Sequence, residues 1–167
     1  MSDEVIEIDP ANFRKVLGAF PTGVTVIAAV ADGKPSGLAV GSFFSVSLEP
    51  PLVGFCVQKS SGSWARIKEA DHFVVNVLGE GQDGVSNQFA SKLEDKFEGL
   101  DWTPAVRTGG PRLDGCLAHI DCTRWAVYDG GDHDIVVGKV EHVELDSDED
   151  GPLIFFKGKY GKIAPLD

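Results

Sequence analysis

Apolar positions along this chain fall into short runs broken by turn residues, and the period of the runs changes along it. Behind Asp9-Pro10, an N-cap residue followed by proline at the first helical position, Phe13, Val16, Leu17 and Phe20 recur at helical spacing until Pro21. The spacing predicts a short amphipathic opening helix. Residues 23–30 (GVTVIAAV) and 38–46 are rich in β-branched and small apolar side chains and flank the turn-forming Asp32-Gly33-Lys34-Pro35, which predicts two adjacent strands. Pro50-Pro51 resets the chain before a third strand over 52–57. A capped helix over 60–70 (SSGSWARIKEA) then leads into a fourth strand over 72–78. Residues 79–111 read as polar loop around a short helix near 85–90. From 116 to 128 the alternation places Cys116, Ala118, Ile120, Cys122 and Ala126 on one face, and Asp129-Gly130-Gly131-Asp132 turns the chain into a partner strand over 133–143. Six or more strands with few helices predict an antiparallel barrel with helical decoration. A doubly wound sheet would need a helix after nearly every strand.

Length adds that this is one domain: 167 residues, 43% hydrophobic and 25% charged, form a single core spanning 1–167. The first nine residues, MSDEVIEID, are acidic where a signal peptide would be basic, and no run is long enough to span a bilayer. The expected setting is cytoplasmic, with no membrane partner. Cys56, Cys116 and Cys122 lie in or beside apolar strand-like runs without a C-x-x-C pair and are expected to be buried thiols.

Charge narrows the function classes. Fifteen Lys and Arg stand against 26 Asp and Glu, a formal net charge of −11, and no basic stripe runs through the sequence, which argues against a nucleic-acid partner. An anionic ligand would be held locally, by backbone N–H groups, hydroxyls and one or two placed lysines. Lys59-Ser60-Ser61-Gly62-Ser63-Trp64, just before a helix, offers that chemistry, although serine at this position is equally an ordinary N-cap. Gly79-Glu80-Gly81-Gln82-Asp83-Gly84 fits G-x-G-x-x-G, yet three strands have already passed before the one it follows, and no β-branched run follows its helix. It is read as a loop beside the fourth strand rather than a dinucleotide fingerprint. The four histidines show no i, i+4 pair, so no metal site is expected. His133, where a strand leaves the Gly-Gly-Asp turn, is the histidine best placed to reach a cleft mouth.

Three ordered motifs carry a resemblance. Phe20-Pro21-Thr22-Gly23-Val24-Thr25-Val26, then Ser42-Phe43-Phe44-Ser45-Val46-Ser47-Leu48-Glu49-Pro50-Pro51-Leu52-Val53, then Gly131-Asp132-His133 resemble the short-chain flavin reductase family, the reductase components of two-component flavin-dependent monooxygenases. The likeness runs from about Ile8 to Ile163 and includes Phe89-Ala90-Ser91-Lys92, Asp95-Lys96-Phe97 and Asp101-Trp102. It implies a homodimeric, Greek-key split β-barrel of the FMN-binding type, with NADH as hydride donor, FMN or FAD as acceptor, and a monooxygenase as recipient of the reduced flavin.

Residue by residue, the resemblance places Pro21, Thr22, Gly23 and Val24, with Ala39, Val40, Gly41 and Ser42, along the isoalloxazine. Ser45, Val46 and Ser47, with Lys59, Ser60, Ser61 and Ser63, face the ribityl chain and phosphate, and Phe89 and Ala90 close the ring edge. His133 and Asp132 meet the nicotinamide nucleotide and Tyr160 helps enclose the site. Two positions depart from the pattern: many relatives carry a hydroxyl residue at Ala39 and asparagine or serine at Gly41. Hydride transfer between stacked rings requires no acid–base residue. The absence of an arginine cluster favours NADH over NADPH. The rival readings are a non-catalytic flavin- or haem-binding split-barrel module, and an enzyme using deazaflavin or holding its flavin permanently.

Overall fold

The computed structural model describes residues 7–148 and 150–166. Three helices, α1 (Pro10–Leu17), α2 (Gly62–Ile67) and α3 (Asp83–Ala90), decorate twelve strands: β1 (Thr22–Gly23), β2 (Thr25–Ala31), β3 (Lys34–Val40), β4 (Phe44–Leu48), β5 (Pro51–Gln58), β6 (His72–Val77), β7 (Trp102–Pro104), β8 (Pro111–Leu113), β9 (Ala118–Gly130), β10 (His133–Leu145), β11 (Ile154–Phe156) and β12 (Lys159–Gly161). Seven form one antiparallel sheet in the order β3-β2-β6-β9-β10-β5-β4; β1-β11-β12 and β7-β8 are small satellites.

The large sheet curls on itself, because residues from both its ends meet in one core. Leu38 and Val40 of β3, near one end, share a cluster with Val53, Phe55 and Val57 of β5, near the other, around Phe73 and Trp64. Phe55 stands edge-on to both Trp64 and Phe73, at 6.1 and 5.2 Å between ring centres. β2 is buried on both faces. Ile27 and Ala29 point into this cluster, while Val26 and Ala28 point into a second one with Leu78, Phe89, Phe97, Leu113 and Leu153. That double burial explains why β2 reads as an unbroken apolar run instead of an alternation.

The barrel is closed incompletely between β3 and β5. Here the Ser42 hydroxyl donates to the Cys56 carbonyl (2.8 Å) and accepts from the Cys56 N–H (2.9 Å), so one side chain bridges two backbones that no ladder joins. The strand expected over 38–46 is therefore two strands, broken at residues 41–43. β4 leaves for the far edge of the sheet, with Phe44 on the bare backbone of Gly54.

Other expectations shift by small amounts. Asp9 caps α1 by accepting from the Asn12 N–H at 2.9 Å, as its sequence predicts, but the helix ends at Leu17 and none of its residues is buried. Asp129 and Gly130 belong to β9, leaving Gly131-Asp132 as a two-residue turn, with Gly131 at φ 80°. The expected face alternation along β9 fails at Trp125, where a bulge against β10 inserts one extra residue, and Cys116 precedes the strand altogether. Cys116 and Cys122 are buried, but Cys56 is only half-buried, because it borders the opening that Ser42 bridges. After α3 the chain runs through a loop to the three-residue β7, so the Gly79–Gly84 segment begins no second parallel unit. Among the described residues, no helix is long and apolar enough to cross a membrane.

Candidate functional site

The incomplete closure leaves a cavity of about 650 Å³ on the outer side of the β3 end. β3 and its continuation, residues 38–42, form one wall, and Cys56, Val57 and Gln58 of β5 the next. Ser60, Ser61, Gly62, Ser63 and Arg66 come from α2 and its approach, Phe89 and Ala90 from the end of α3, Ser91, Lys92, Leu93 and Lys96 from the loop beyond, and His133 from β10. Elements distant in sequence meet here because α2 and α3 both pack against β3.

Each wall has a local cause. Ser61 caps α2, accepting from the Trp64 N–H at 3.2 Å, so the capping reading of the serine cluster holds for this residue. Trp64 anchors the helix from beneath: its indole N–H donates to Asp134 at 2.8 Å, a buried bond that ties α2 to the residue after His133. Phe89 is fully buried and packs directly on Gly37, where a side chain would leave no room. Lys96 crosses from the loop to both helices, donating from Nζ to Ser63 Oγ and to the Phe89 carbonyl, each at 2.9 Å. Partial burial, and then the nearby charge of Arg66, push its ammonium below the ordinary lysine value.

Arg66, Lys92 and Lys96 form no ion pair among the described residues. In a chain of net charge −11, three cations facing one cavity without carboxylate partners form a local anion site. Serine hydroxyls beside them, and the apolar Leu38, Val40 and Phe89 farther along, fit a ligand with a phosphate at one end and a flat apolar ring at the other.

At the mouth, His133 Nδ1 lies 2.7 Å from Asp132 Oδ1. The hydrogen bond from His133, followed by its charge, holds the Asp132 carboxyl below its usual range. With Nδ1 so engaged, Nε2 is the ring nitrogen left for a ligand.

The residues expected to line the site divide into two groups. Ala39, Val40, Gly41, Ser42, Ser60, Ser61, Ser63, Phe89, Ala90 and His133 converge on the cavity. Lys59 does not. Its Nζ pairs with Asp129 and donates to the Gly131 carbonyl at 2.7 Å, while its backbone N–H donates to the Asp132 carbonyl at 3.0 Å, so it braces the β9–β10 turn that carries His133. The hydrogen bond to Asp129 raises the Lys59 ammonium and lowers the carboxylate. Ser45, Val46 and Ser47 follow β4 to the sheet edge and lie outside the cavity within one chain. Pro21, Gly23 and Val24 do not line it either: Pro21 and Gly23 are exposed and Val24 lies in the second core. Thr22 stands over Gly41, its Oγ1 2.8 Å from where a Gly41 β-carbon would fall. The departure at Gly41 is thus matched by Thr22 occupying the space of a side chain. Tyr160 is turned toward α3 instead, its hydroxyl 2.9 Å from Ser86 Oγ and 3.1 Å from Asn87 Oδ1. Sequence reasoning missed Arg66, Lys92 and Lys96 as lining cations. The available signal was the close spacing of Lys92 and Lys96 just after the Phe-Ala end of α3.

Comparison with known proteins places these observations. Residues 17–164 match the model of the flavin reductase like domain. The chain is 51% identical over 160 residues to the flavin-dependent monooxygenase reductase subunit HsaB of Mycobacterium tuberculosis, covering 95% of this chain and 85% of that one. It is 42% identical over 154 residues to the FMN reductase (NADH) SmoA of Agrobacterium fabrum, covering 92% and 86%. Among solved structures, the Streptomyces globisporus NADH:FAD oxidoreductase in complex with NAD and FAD fragments superimposes with a TM-score of 0.88 at 36% identity, covering 95% of this chain and 97% of that one.

Proposed function

This chain belongs to the flavin reductase like family, and from that premise we propose that it uses NADH to reduce FMN or FAD and releases the reduced flavin to a partner monooxygenase. The observation that carries the reading is the cavity itself, with unpaired Arg66, Lys92 and Lys96 at one end, an apolar wall along β3 and the His133–Asp132 pair at the mouth.

Bound there, flavin supplies the hydride acceptor, and the chain's residues supply position. Lys96, held by Ser63 and the Phe89 carbonyl, fixes the phosphate end together with Arg66 and Lys92, while the backbone of residues 38–42 supports the ring. His133, its Nδ1 directed at Asp132, presents Nε2 to the nicotinamide nucleotide. Stacking the two rings at about 3–3.5 Å is the whole of the catalytic demand, so no side chain has to move a proton in the hydride step. A carrier that must let go of its product is expected to bind it at about micromolar affinity, roughly −8 kcal/mol.

The chain acts as a homodimer in the cytoplasm. The support is exposed apolar surface: α1 buries none of Phe13, Val16 or Leu17, and Trp125, Tyr128, Val143 and Leu145 stand out from β9 and β10. These are side chains that a second copy of the chain would cover. Within a dimer, β4 and Pro21 to Val24 could meet the partner's cavity, which accounts for their place outside the cavity of one chain. The whole of residues 1–167 is one reductase domain.

Following NADH oxidation by absorbance, with and without added FMN or FAD, tests this. Turnover that depends on free flavin is expected. Flavin binding without NADH oxidation would instead indicate a binding module, and a flavin that stays with the protein through gel filtration and turnover would exclude the diffusible carrier.

A further inference from the structure

The strand position after His133 carries a side chain that stability alone does not explain. In the β10–β5 ladder Asp134 stands opposite Val57 and Val136 opposite Phe55, so Asp134 and Val136 share the face of β10 that packs toward the core of Val57, Phe55 and Trp64. An apolar residue would add to that core. Instead, a buried carboxylate accepts one side-chain hydrogen bond, from the Trp64 indole at 2.8 Å, and among the described residues it forms no ion pair. A carboxylate taken out of water onto one neutral donor costs stability, and an apolar residue of similar shape in its place is often neutral or stabilising.

What the bond joins is two walls of the cavity. Ser60, Ser61, Gly62 and Ser63 line it, and so does His133. Trp64 directly follows the serine segment and bonds to Asp134, which directly follows His133. Lys59 directly precedes the segment and holds the residues before His133: its N–H donates to the Asp132 carbonyl at 3.0 Å and its Nζ to the Gly131 carbonyl at 2.7 Å. Between them, Gln58 stands opposite His133 in the ladder, and its carbonyl accepts from the Ser61 N–H at 3.0 Å. The two segments are thus clamped at both ends. The Lys59 end lies at the surface, where water and salt weaken it, whereas the Trp64 end is buried.

We propose that Asp134 is a positioning residue for hydride transfer: through the indole of Trp64 it fixes the serine segment, on the flavin side of the cavity, relative to His133, on the nicotinamide side. Neither Asp134 nor Trp64 lines the cavity, so both act through the residues beside them. The inference rests on the reductase reading. The demand it meets is geometric, since misplacing reacting atoms by about 1 Å can slow a reaction about a hundredfold.

Three variants separate positioning from stability. Trp64→Phe keeps a ring against Phe55 and removes the indole N–H, and Asp134→Asn keeps an acceptor for that N–H and removes the charge. Trp64→Phe combined with Asp134→Leu removes the donor and the buried charge together, leucine having the branching of aspartate. Each protein is loaded with oxidised FMN or FAD, whichever the wild type turns over faster, and mixed anaerobically with saturating NADH. Loss of oxidised-flavin absorbance gives the hydride-transfer rate, and thermal melts and flavin Kd are read alongside. Trp64→Phe is expected to melt below the wild type and to transfer hydride at least about tenfold more slowly, with its flavin Kd within about threefold. The double variant is expected to regain most of the lost Tm without regaining the rate, and it carries the comparison where Trp64→Phe does not fold. Asp134→Asn is expected to hold the rate within about threefold of wild type. A rate that returns with Tm in the double variant, a wild-type rate in Trp64→Phe, or an Asp134→Asn as slow as the double variant would overturn the proposal and leave the reductase reading standing. A wild type that binds flavin and oxidises no NADH would refute the reductase reading, and with it any hydride step for Asp134 to position.

Discussion

Gly37→Ala is the smallest change that tests how the cavity is built. A β-carbon at Gly37 would fall 2.6 Å from Cε1 and 2.9 Å from Cδ1 of Phe89, and 3.3 Å from the Ile27 carbonyl. The ring has no easy retreat, because Phe97 stands edge-on behind it at 5.0 Å between centres and Phe89 is fully buried. Overpacking of this kind costs about 1–3 kcal/mol. For a chain of this length each kcal/mol lowers Tm by about 2–4 °C, so thermal unfolding is expected about 2–12 °C lower. The same displacement moves the Phe89 carbonyl that holds Lys96, so flavin affinity falls as well, by about tenfold for a hydrogen bond to charge worth 1.4 kcal/mol. Thermal melts and flavin titration read the two effects. Trimming the ring relieves the clash, so Gly37→Ala combined with Phe89→Leu is expected to be less destabilised than the sum of the single variants. Wild-type Tm and flavin Kd in Gly37→Ala, or strict additivity in the double variant, would refute the packing argument.

Further outcomes follow from particular contacts. Lys96→Met is expected to weaken FMN and FAD binding by about tenfold or more, whereas Lys59→Met, which alters only the β9–β10 brace, leaves flavin Kd within about twofold; the titrations compare directly. His133→Ala raises the KM for NADH and leaves flavin binding intact, and unchanged NADH kinetics would remove His133 from the site. Burial pushes the Cys116 and Cys122 thiols up to about 12 from 9.0. Their folded values lie above the unfolded one, so the stability they contribute is complete below pH 9 and lost as pH rises from 9 through about 12. Urea unfolding across that range is expected to show a shallower decline in Cys122→Ala, and Cys56, half-buried at the cavity, is expected to alkylate first and to be protected by flavin. Asp121 is buried and accepts from the Arg107 and Thr108 N–H groups and the Thr108 hydroxyl, so Asp121→Ala is expected to destabilise by about 2 kcal/mol in denaturant titration.

The order of elements was legible because it depends on local periodicity. Apolar runs of four to eight residues, the Asp9-Pro10 cap and the Gly-Gly-Asp turn each carry their own signal, and the structure places a strand, a helix start and a hairpin at those points. Part of the lining was legible through the resemblance: residues 39–42, the serines before α2, Phe89-Ala90 and His133 converge on the cavity, whereas residues 21–24 and 45–47 do not line it. Lys59 and Tyr160 lie outside the cavity of one chain for a shared cause. Lys59 has the charge for a phosphate but sits at the end of β5, where Asp129 across the hairpin captures it. Tyr160 has a suitable ring but lies on a satellite strand, with its hydroxyl engaged by Ser86 and Asn87 of α3.

Sequence alone determined the class of the fold and the need for a local anion site in an acidic chain, because composition and periodicity act over neighbouring residues. Only the tertiary structure decided which cations serve that site. Arg66, Lys92 and Lys96 come from two segments that become neighbours when α2 and α3 pack on β3, and Lys59 leaves the cavity because a carboxylate seventy residues away reaches it first. The partner of each charge is set by which strands lie side by side, and nothing within reach of a local pattern records that.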